Sequence, residues 1–230
     1  LITLTKVEKK YFNKIALADV NLTLTKGKII GLVGENGSGK STTLKLIAGL
    51  AYPTKGHIEV LGQKVTRQIA SSVSYLSELD TYYSFYTIEQ TIAFYASQFQ
   101  DFNTEKAFQM CEFLNIDKSK KWKHLSKGNR GRVKIVLSLA REVPIILMDE
   151  PLSGLDPLVR DSIVKSLLTF VDLEKQLVII TSHEILELES ILDEVIAIKN
   201  GAIIGHEQVE DLREIHQKNI VEWMKDLYNS

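Results

Sequence analysis

Three short stretches carry side chains that could act on a phosphorylated ligand. The first, GENGSGKST from Gly34 to Thr42, matches the pattern G-x-x-x-x-G-K-[ST]. Its glycines, Gly34, Gly37 and Gly39, let backbone N–H groups curl around phosphate oxygens, and the start of the following helix adds positive potential. Lys40 reaches terminal phosphates, the Ser41 hydroxyl suits a Mg²⁺ shell, and Asn36, Ser38 and Thr42 complete the expected contact surface. The second stretch, IILMDEP, delivers Asp149 and Glu150 at the C-terminal edge of an apolar strand, where ligands bind in open α/β sheets. Asp149 is the expected metal partner, and Glu150 is placed to polarise an attacking water. The third, LVIITSHE, ends another strand at His183, which the same topology brings to that edge. A lone histidine at a strand end is ordinarily a solvated residue, and only its company gives this one a chemical reading.

These residues need an α/β frame. Short β-branched runs, KIIGLVG, PIILMDE and QLVIITS, alternate with helical periods such as KSTTLKLIAGL and PLVRDSIVKSLLTFV. Continuous apolar strands separated by helices predict a mostly parallel sheet flanked by helices, a P-loop NTPase arrangement. LITLTKVEKKYF and LADVNLTLTKG alternate at period two and predict antiparallel strands beside that sheet. Between about residues 77 and 129 two helical patterns occur with no β-run, which predicts a helical subdomain; HEILELESIL and the tail from about 206 to 230 also read as helical. With four prolines and no low-complexity tract, residues 1–230 read as a single domain.

Bulk composition narrows the class. The 230 residues are 44% apolar and 25% charged with a net charge of −1, which gives no global attraction to nucleic acid or an anionic membrane. Cys111 is the one cysteine, so neither an internal disulfide framework nor a cysteine metal cluster is available, and a reducing compartment is the simplest reading. No apolar run approaches the ~18 residues that span a bilayer, and no basic-then-apolar leader follows Leu1. The guanine-reading NKxD motif does not occur; NKIA, Asn13 to Ala16, lacks its aspartate.

Taken in order, the motifs resemble the ATP-binding subunit of an ABC transporter over residues 1 to about 205, most closely bacterial single-cassette exporters. The resemblance comprises an aromatic before the first turn (Tyr11), Walker A (Gly34 to Thr42), the Q-loop region YLSELD, the signature LSKGN, Walker B with its glutamate, the D-loop (Ser153 to Asp156) and the switch His183. It implies a Mg²⁺-dependent ATPase that dimerises around ATP, the signature of one subunit covering the nucleotide held by Walker A of another. It implies two partners, a second ATP-binding subunit and a transmembrane transporter subunit, with the chain cytoplasmic and peripheral on the inner face of the cell membrane through that partner alone. Tyr11 is then expected against adenine, and Ser126, Lys127, Gly128 and Asp156 at the nucleotide.

Two departures bear on the chemistry. The usual signature LSGGQ becomes LSKGN, with Lys127 for glycine and Asn129 for glutamine. Ser126 and the Gly128 amide can still face a phosphate, and Lys127, disfavoured at an empty helix N-terminus by roughly 0.3–1 kcal/mol, gains attraction once an anion arrives. Alternatively, Lys127 is a surface lysine after a serine N-cap. In the Q-loop region Glu78 stands where glutamine is usual. Its carboxylate can bind Mg²⁺ or orient water, so it is counted among both the metal and the catalytic candidates; a plain surface glutamate is the alternative.

Two further segments suggest surfaces. Residues 75–102 hold nine of the 18 aromatics; Phe94, Tyr95 and Phe99 read as core, and TYYSFY, Thr81 to Tyr86, as an interface for the membrane subunit. KSKKWKHLSKGNRGR, Lys118 to Arg132, holds seven Lys or Arg and no acid; it reads first as a solvated face, or as a positive rim for the partner's ATP, and with Trp122 available for stacking it is also the strongest case for a rival, a soluble ATPase acting on nucleic acid or ribosomes. DNA-repair relatives carry long insertions between Walker A and signature, where this chain has 84 residues between Lys40 and Leu125, and ribosome-acting relatives usually carry two cassettes. Transport, with no nucleic-acid partner, is therefore the expectation, and export is preferred because Glu78 and Lys127 resemble exporter sequences.

Overall fold

The computed structural model describes residues 1–79, 82–183 and 185–229. Asp80 of YLSELD, Thr81 of TYYSFY, Glu184 of HEILELESIL and the terminal Ser230 lie outside the described residues. Strands β1 (Ile2–Tyr11) and β2 (Lys14–Leu24) form an antiparallel hairpin, β3 (Lys28–Val33) leads into helix α1 (Lys40–Ile47), and β4 (Lys55–Val60) and β5 (Gln63–Lys64) return to the hairpin. After β6 (Val73–Leu76) come α2 (Ile88–Gln98), α3 (Thr104–Phe113) and α4 (Lys127–Leu139). The chain then runs through β7 (Ile145–Asp149), α5 (Pro157–Phe170), β8 (Leu177–Ser182), β9 (Glu194–Lys199), β10 (Ala202–Gln208), α6 (Val209–Glu214) and α7 (Ile220–Asn229).

Two sheets result. One is antiparallel with order β2-β1-β4-β5, and the other has order β10-β9-β3-β8-β7-β6, parallel throughout except for β10. The apolar runs of β3, β7 and β8 are continuous because both faces of those strands are covered. Ile29, Val33, Ile146, Met148, Val178 and Ile180 pack into the core beneath α4 and α5, whereas Ile30, Leu32, Ile145, Leu147, Leu177 and Ile179 pack with α1 and the antiparallel sheet. Period-two alternation thus sends successive side chains of one strand into two separate cores.

Helix starts follow their capping chemistry. Thr87 and Gln90 form a reciprocal capping box on α2, Asn103 caps α3, Ser126 caps α4 and Asp156 caps α5 with Pro157 next. Two segments differ from the periodic reading. Within HEILELESIL, Ile185–Glu187 and Glu189–Ile191 form two single turns of tight helix, and Asp193, just before β9, accepts from the Ile29 amide. The tail is not helical from 206: β10 continues to Gln208 by pairing with β9, and α6 and α7 follow. Trp122 does not provide the stacking face that the nucleic-acid rival needs. It is buried to 3% and its ring stacks on Tyr82 at 4.1 Å, so it belongs to the core and is not offered to a base.

Candidate functional site

The cavity at the C-terminal edge of β3, β7 and β8 begins with the loop between β3 and α1. Gly37 and Gly39 adopt φ of +80° and +119°, a region L side chains rarely enter, and a Cβ on Gly39 would lie 2.7 Å from the Ala16 carbonyl oxygen. A Cβ on Gly34 would lie 2.2 Å from the Ile198 carbonyl oxygen. The loop can therefore take this path only with glycine at these positions. Lys40 is buried to 5% and its Nζ donates to the carbonyls of Gly34, at 2.8 Å, and Glu35, at 3.3 Å. Its charge is held at the centre of the loop by main-chain oxygens.

Opposite the loop, Asp149 is fixed by three hydroxyls. Ser41 Oγ donates to its Oδ1 at 2.8 Å, Thr181 Oγ1 to the same oxygen at 2.9 Å, and Tyr75 Oη to Oδ2 at 3.1 Å. Burial first, and then the Asp149 charge, push the Tyr75 phenol well above its ordinary value, so Tyr75 remains a donor. The register explains the Thr181 contact: Asp149 pairs across β7 and β8 with Thr181. Thr181 and Tyr75 were not singled out by the sequence. Their signal was only a hydroxyl near the end of a strand adjacent to β7, which no motif marks.

Glu150 follows at φ +50°, unusual for a residue with a side chain, and its amide donates to Thr181 Oγ1 at 2.9 Å. The twist turns its carboxylate back into the cavity, with Oε1 3.6 Å from Lys40 Nζ and Oε2 2.8 Å from His183 Nδ1. With Glu150 ionised, the proton of that last contact resides on Nδ1. The cavity is lined by Tyr11, Asn36, Gly37, Gly39, Lys40, Ser41, Thr42, Glu78, Glu150, Ser153 and His183. Eight residues expected from the three motifs line it, and the buried Asp149 joins them through Ser41.

The signature residues meet elsewhere. Ser126 Oγ accepts from the Asn129 amide at 3.3 Å, and Asp156 Oδ1 accepts from the Val159 amide at 3.1 Å, so each caps its own helix. Gly128 is packed on α5, where a Cβ would lie 2.9 Å from Val159 Cγ2. Lys127 folds back over Gly154: a Cβ there would sit 2.1 Å from its Nζ. It lines a second cavity with Glu78, Arg130, Lys134, Glu150 and Ser153, and Glu78, Glu150 and Ser153 form the wall shared with the first. Glu78 is exposed, and its carbonyl accepts from Lys134 Nζ at 2.9 Å.

A nucleoside triphosphate with a hard divalent cation fits this donor set. Ser38 Oγ is buried, finds no hydrogen-bond partner among the described residues and lies against Gly34, and Lys40 brings a positive charge to the same loop. Asp149 with Ser41 supplies oxygen ligands of the kind Mg²⁺ takes alongside phosphate. Among the described residues no group of three or more His, Cys, Asp or Glu could hold a metal by itself.

The family model described as ABC transporter matches residues 17–153. This chain belongs to the ABC transporter family. It is an ATP-binding protein of that family, an enzyme that hydrolyses ATP with Mg²⁺, and the P-loop NTPase fold expected of it is present. It is 27% identical over 220 residues to the ABC transporter ATP-binding protein YtrB of Bacillus subtilis, covering 95% of this chain and 75% of that one. It is 33% identical over 204 residues to the aliphatic sulfonates import ATP-binding protein SsuB of Zymomonas mobilis, covering 88% and 83%. Among solved structures it superposes on the dimeric ATP-binding cassette MJ0796 bound to ADP and Pi with a TM-score of 0.80 at 23% identity, covering 91% of this chain and 99% of that one.

Proposed function

We propose that this ABC ATPase works as half of a two-cassette engine, enclosing ATP between its own phosphate loop and the Ser126–Gly128 segment of a second ATP-binding subunit. The observation that carries the reading is a division of labour. Lys40, Ser41, Glu150 and His183 line one cavity, with the buried Asp149 hydrogen-bonded to Ser41, whereas Ser126, Gly128 and Asp156 are absent from its lining and are held on the starts of α4 and α5. A nucleotide in the cavity therefore needs its cover from outside the chain. The dimeric, ADP- and Pi-bound cassette of the same fold supports that arrangement.

In this reading Tyr11 stacks on the base, the Gly34–Thr42 loop holds the phosphates, and Ser41 and Asp149 hold Mg²⁺, which when bound withdraws charge from the phosphates. Glu150 accepts a proton from the attacking water. His183 keeps Glu150 in place and lines the same cavity. Glu78, on the shared wall, contacts the metal shell or the water, and Lys127 adds a positive charge beside the partner's nucleotide. Residues 1–230 act as one domain.

The motor's output is proposed to pass to a separate membrane-spanning subunit. Among the described residues no helix is long and apolar enough to cross a membrane. An exposed aromatic patch, Tyr83 at 51% and Phe85 at 59% accessible, lies beside α2 and suits a hydrophobic partner. The chain then works on the cytoplasmic face of the membrane, held there by its partner. Export is the direction favoured by Glu78 and Lys127; SsuB, a similar protein, is named for import, so direction rests on those two departures alone. With Trp122 stacked in the core, action on nucleic acid loses its aromatic platform.

Co-purification with the membrane subunit encoded beside it, followed by ATP-driven transport in vesicles of defined orientation, tests the reading. Stoichiometric recovery and efflux are expected. Recovery without a membrane protein overturns the coupling, and uptake overturns the direction.

A further inference from the structure

The last turn of α7 reaches the back of the phosphate loop. Tyr228 Oη donates to the Ile198 carbonyl at 3.2 Å and accepts from the Glu35 amide at 3.3 Å. Ile198 is the residue whose carbonyl oxygen lies against Gly34, and the Gly201 amide, just beyond it, donates to the Ser38 carbonyl at 2.8 Å. The loop is thus braced from behind by the β9–β10 turn, and Tyr228 adds a side-chain link between that brace and the Glu35 amide.

Helix α7 is itself held firmly enough to transmit this. Ile220 is fully buried and Trp223 is 8% accessible. Gly205 leaves room for the helix, since a Cβ there would lie 2.6 Å from both Trp223 and Leu227. Lys199 Nζ donates to the Tyr228 carbonyl at 3.1 Å and lies 4.9 Å from the centre of its ring. The phenol therefore arrives at Glu35 in a fixed orientation.

We infer that Tyr228 is a positioning residue for the phosphate loop, its hydroxyl holding the Glu35 amide to the Ile198 carbonyl and so coupling the docking of α7 to nucleotide affinity. The inference rests on the reading of Gly34–Thr42 as the nucleotide site. Because linkage is reciprocal, a nucleotide that stabilises this loop conformation must also stabilise α7.

Tyr228→Phe in the full chain removes the hydroxyl while the Trp223 and Leu227 anchors remain. It is expected to weaken ATP and ADP binding roughly three- to tenfold, the worth of one or two ordinary hydrogen bonds, and to raise KM with little change in kcat. Lys225→Ala, on the exposed side of the same helix, serves as control and should bind as wild type. Amide exchange in α7 should slow on adding Mg·ATP to the wild type, and slow less in Tyr228→Phe. Unchanged nucleotide affinity in Tyr228→Phe overturns the inference, as does equal weakening by Lys225→Ala, or exchange in α7 that ignores nucleotide. Lys40→Ala is run alongside. If it binds ATP normally, the nucleotide-site reading itself fails; if it loses binding while Tyr228→Phe does not, only the role of Tyr228 fails.

Discussion

His183 Nδ1 lies 2.8 Å from Glu150 Oε2, while Glu150 Oε1 lies 3.6 Å from Lys40 Nζ, so one carboxylate bridges the phosphate-loop lysine and the strand-end histidine. Three elements distant in sequence are joined at that side chain. Its left-handed backbone, at φ +50°, is what turns it inward.

Glu150→Gln is expected to bind ATP with affinity near wild type and to lose turnover by roughly 10²- to 10⁴-fold, because the amide keeps the shape but not the basicity. ATP should then accumulate a dimer, visible by light scattering. His183→Ala should lower kcat with a smaller change in ATP affinity. Undiminished hydrolysis in Glu150→Gln sinks its assignment as the base.

The two-chain site is tested by mixing. Ser126→Arg contributes an intact phosphate loop and Lys40→Ala an intact signature segment, so the mixture should form one good composite site and an ATP-dependent heterodimer that neither chain forms alone. Association should weaken with salt, since the attraction of Lys127 for phosphate is screened over about 10 Å at 0.1 M. A mixture that stays monomeric with ATP, while each chain alone hydrolyses normally, leaves Ser126 as a helix cap and nothing more.

Glu78 and Lys127, the two departures from the usual motifs, face one cavity with opposite charge. Lys127→Glu should slow turnover, and adding Glu78→Lys should restore part of it, with a coupling of two- to fivefold, in the range of an exposed pair, that fades in high salt. Additive effects of the two changes would mean that the charges act separately.

Cys111 is buried in the core formed by α3 and α4, and burial pushes its thiol up to about 11, outweighing the lowering by Lys118. Below that pH the thiolate is scarce, so iodoacetamide at pH 8 should leave the native protein unmodified and label it fully in denaturant. The sign is fixed: raising the pH toward 11 should increase native-state labelling. Rapid labelling at pH 8 would contradict the burial of α3.

Much of the site was legible because phosphate chemistry constrains the main chain locally. A loop that wraps an anion needs glycine at Gly37 and Gly39, so its motif is contiguous, and the apolar strands that end at Asp149, Glu150 and His183 announce themselves by burial on both faces. The hydroxyls that orient Asp149 were not legible. Thr181 and Tyr75 come from strands that become its neighbours only when the sheet order β8-β7-β6 is set. The burial of Trp122 was not legible for a related reason: a tryptophan in a basic run is open to stacking on a base until Tyr82 is found stacked on it. The sequence determined which side chains could do the chemistry, since residue type and short-range spacing are properties of the chain. Only the tertiary structure decided which of them share a cavity, and that Ser126 and Asp156 cap their own helices outside it, because those distances are set by sheet order and helix packing between segments far apart in the chain.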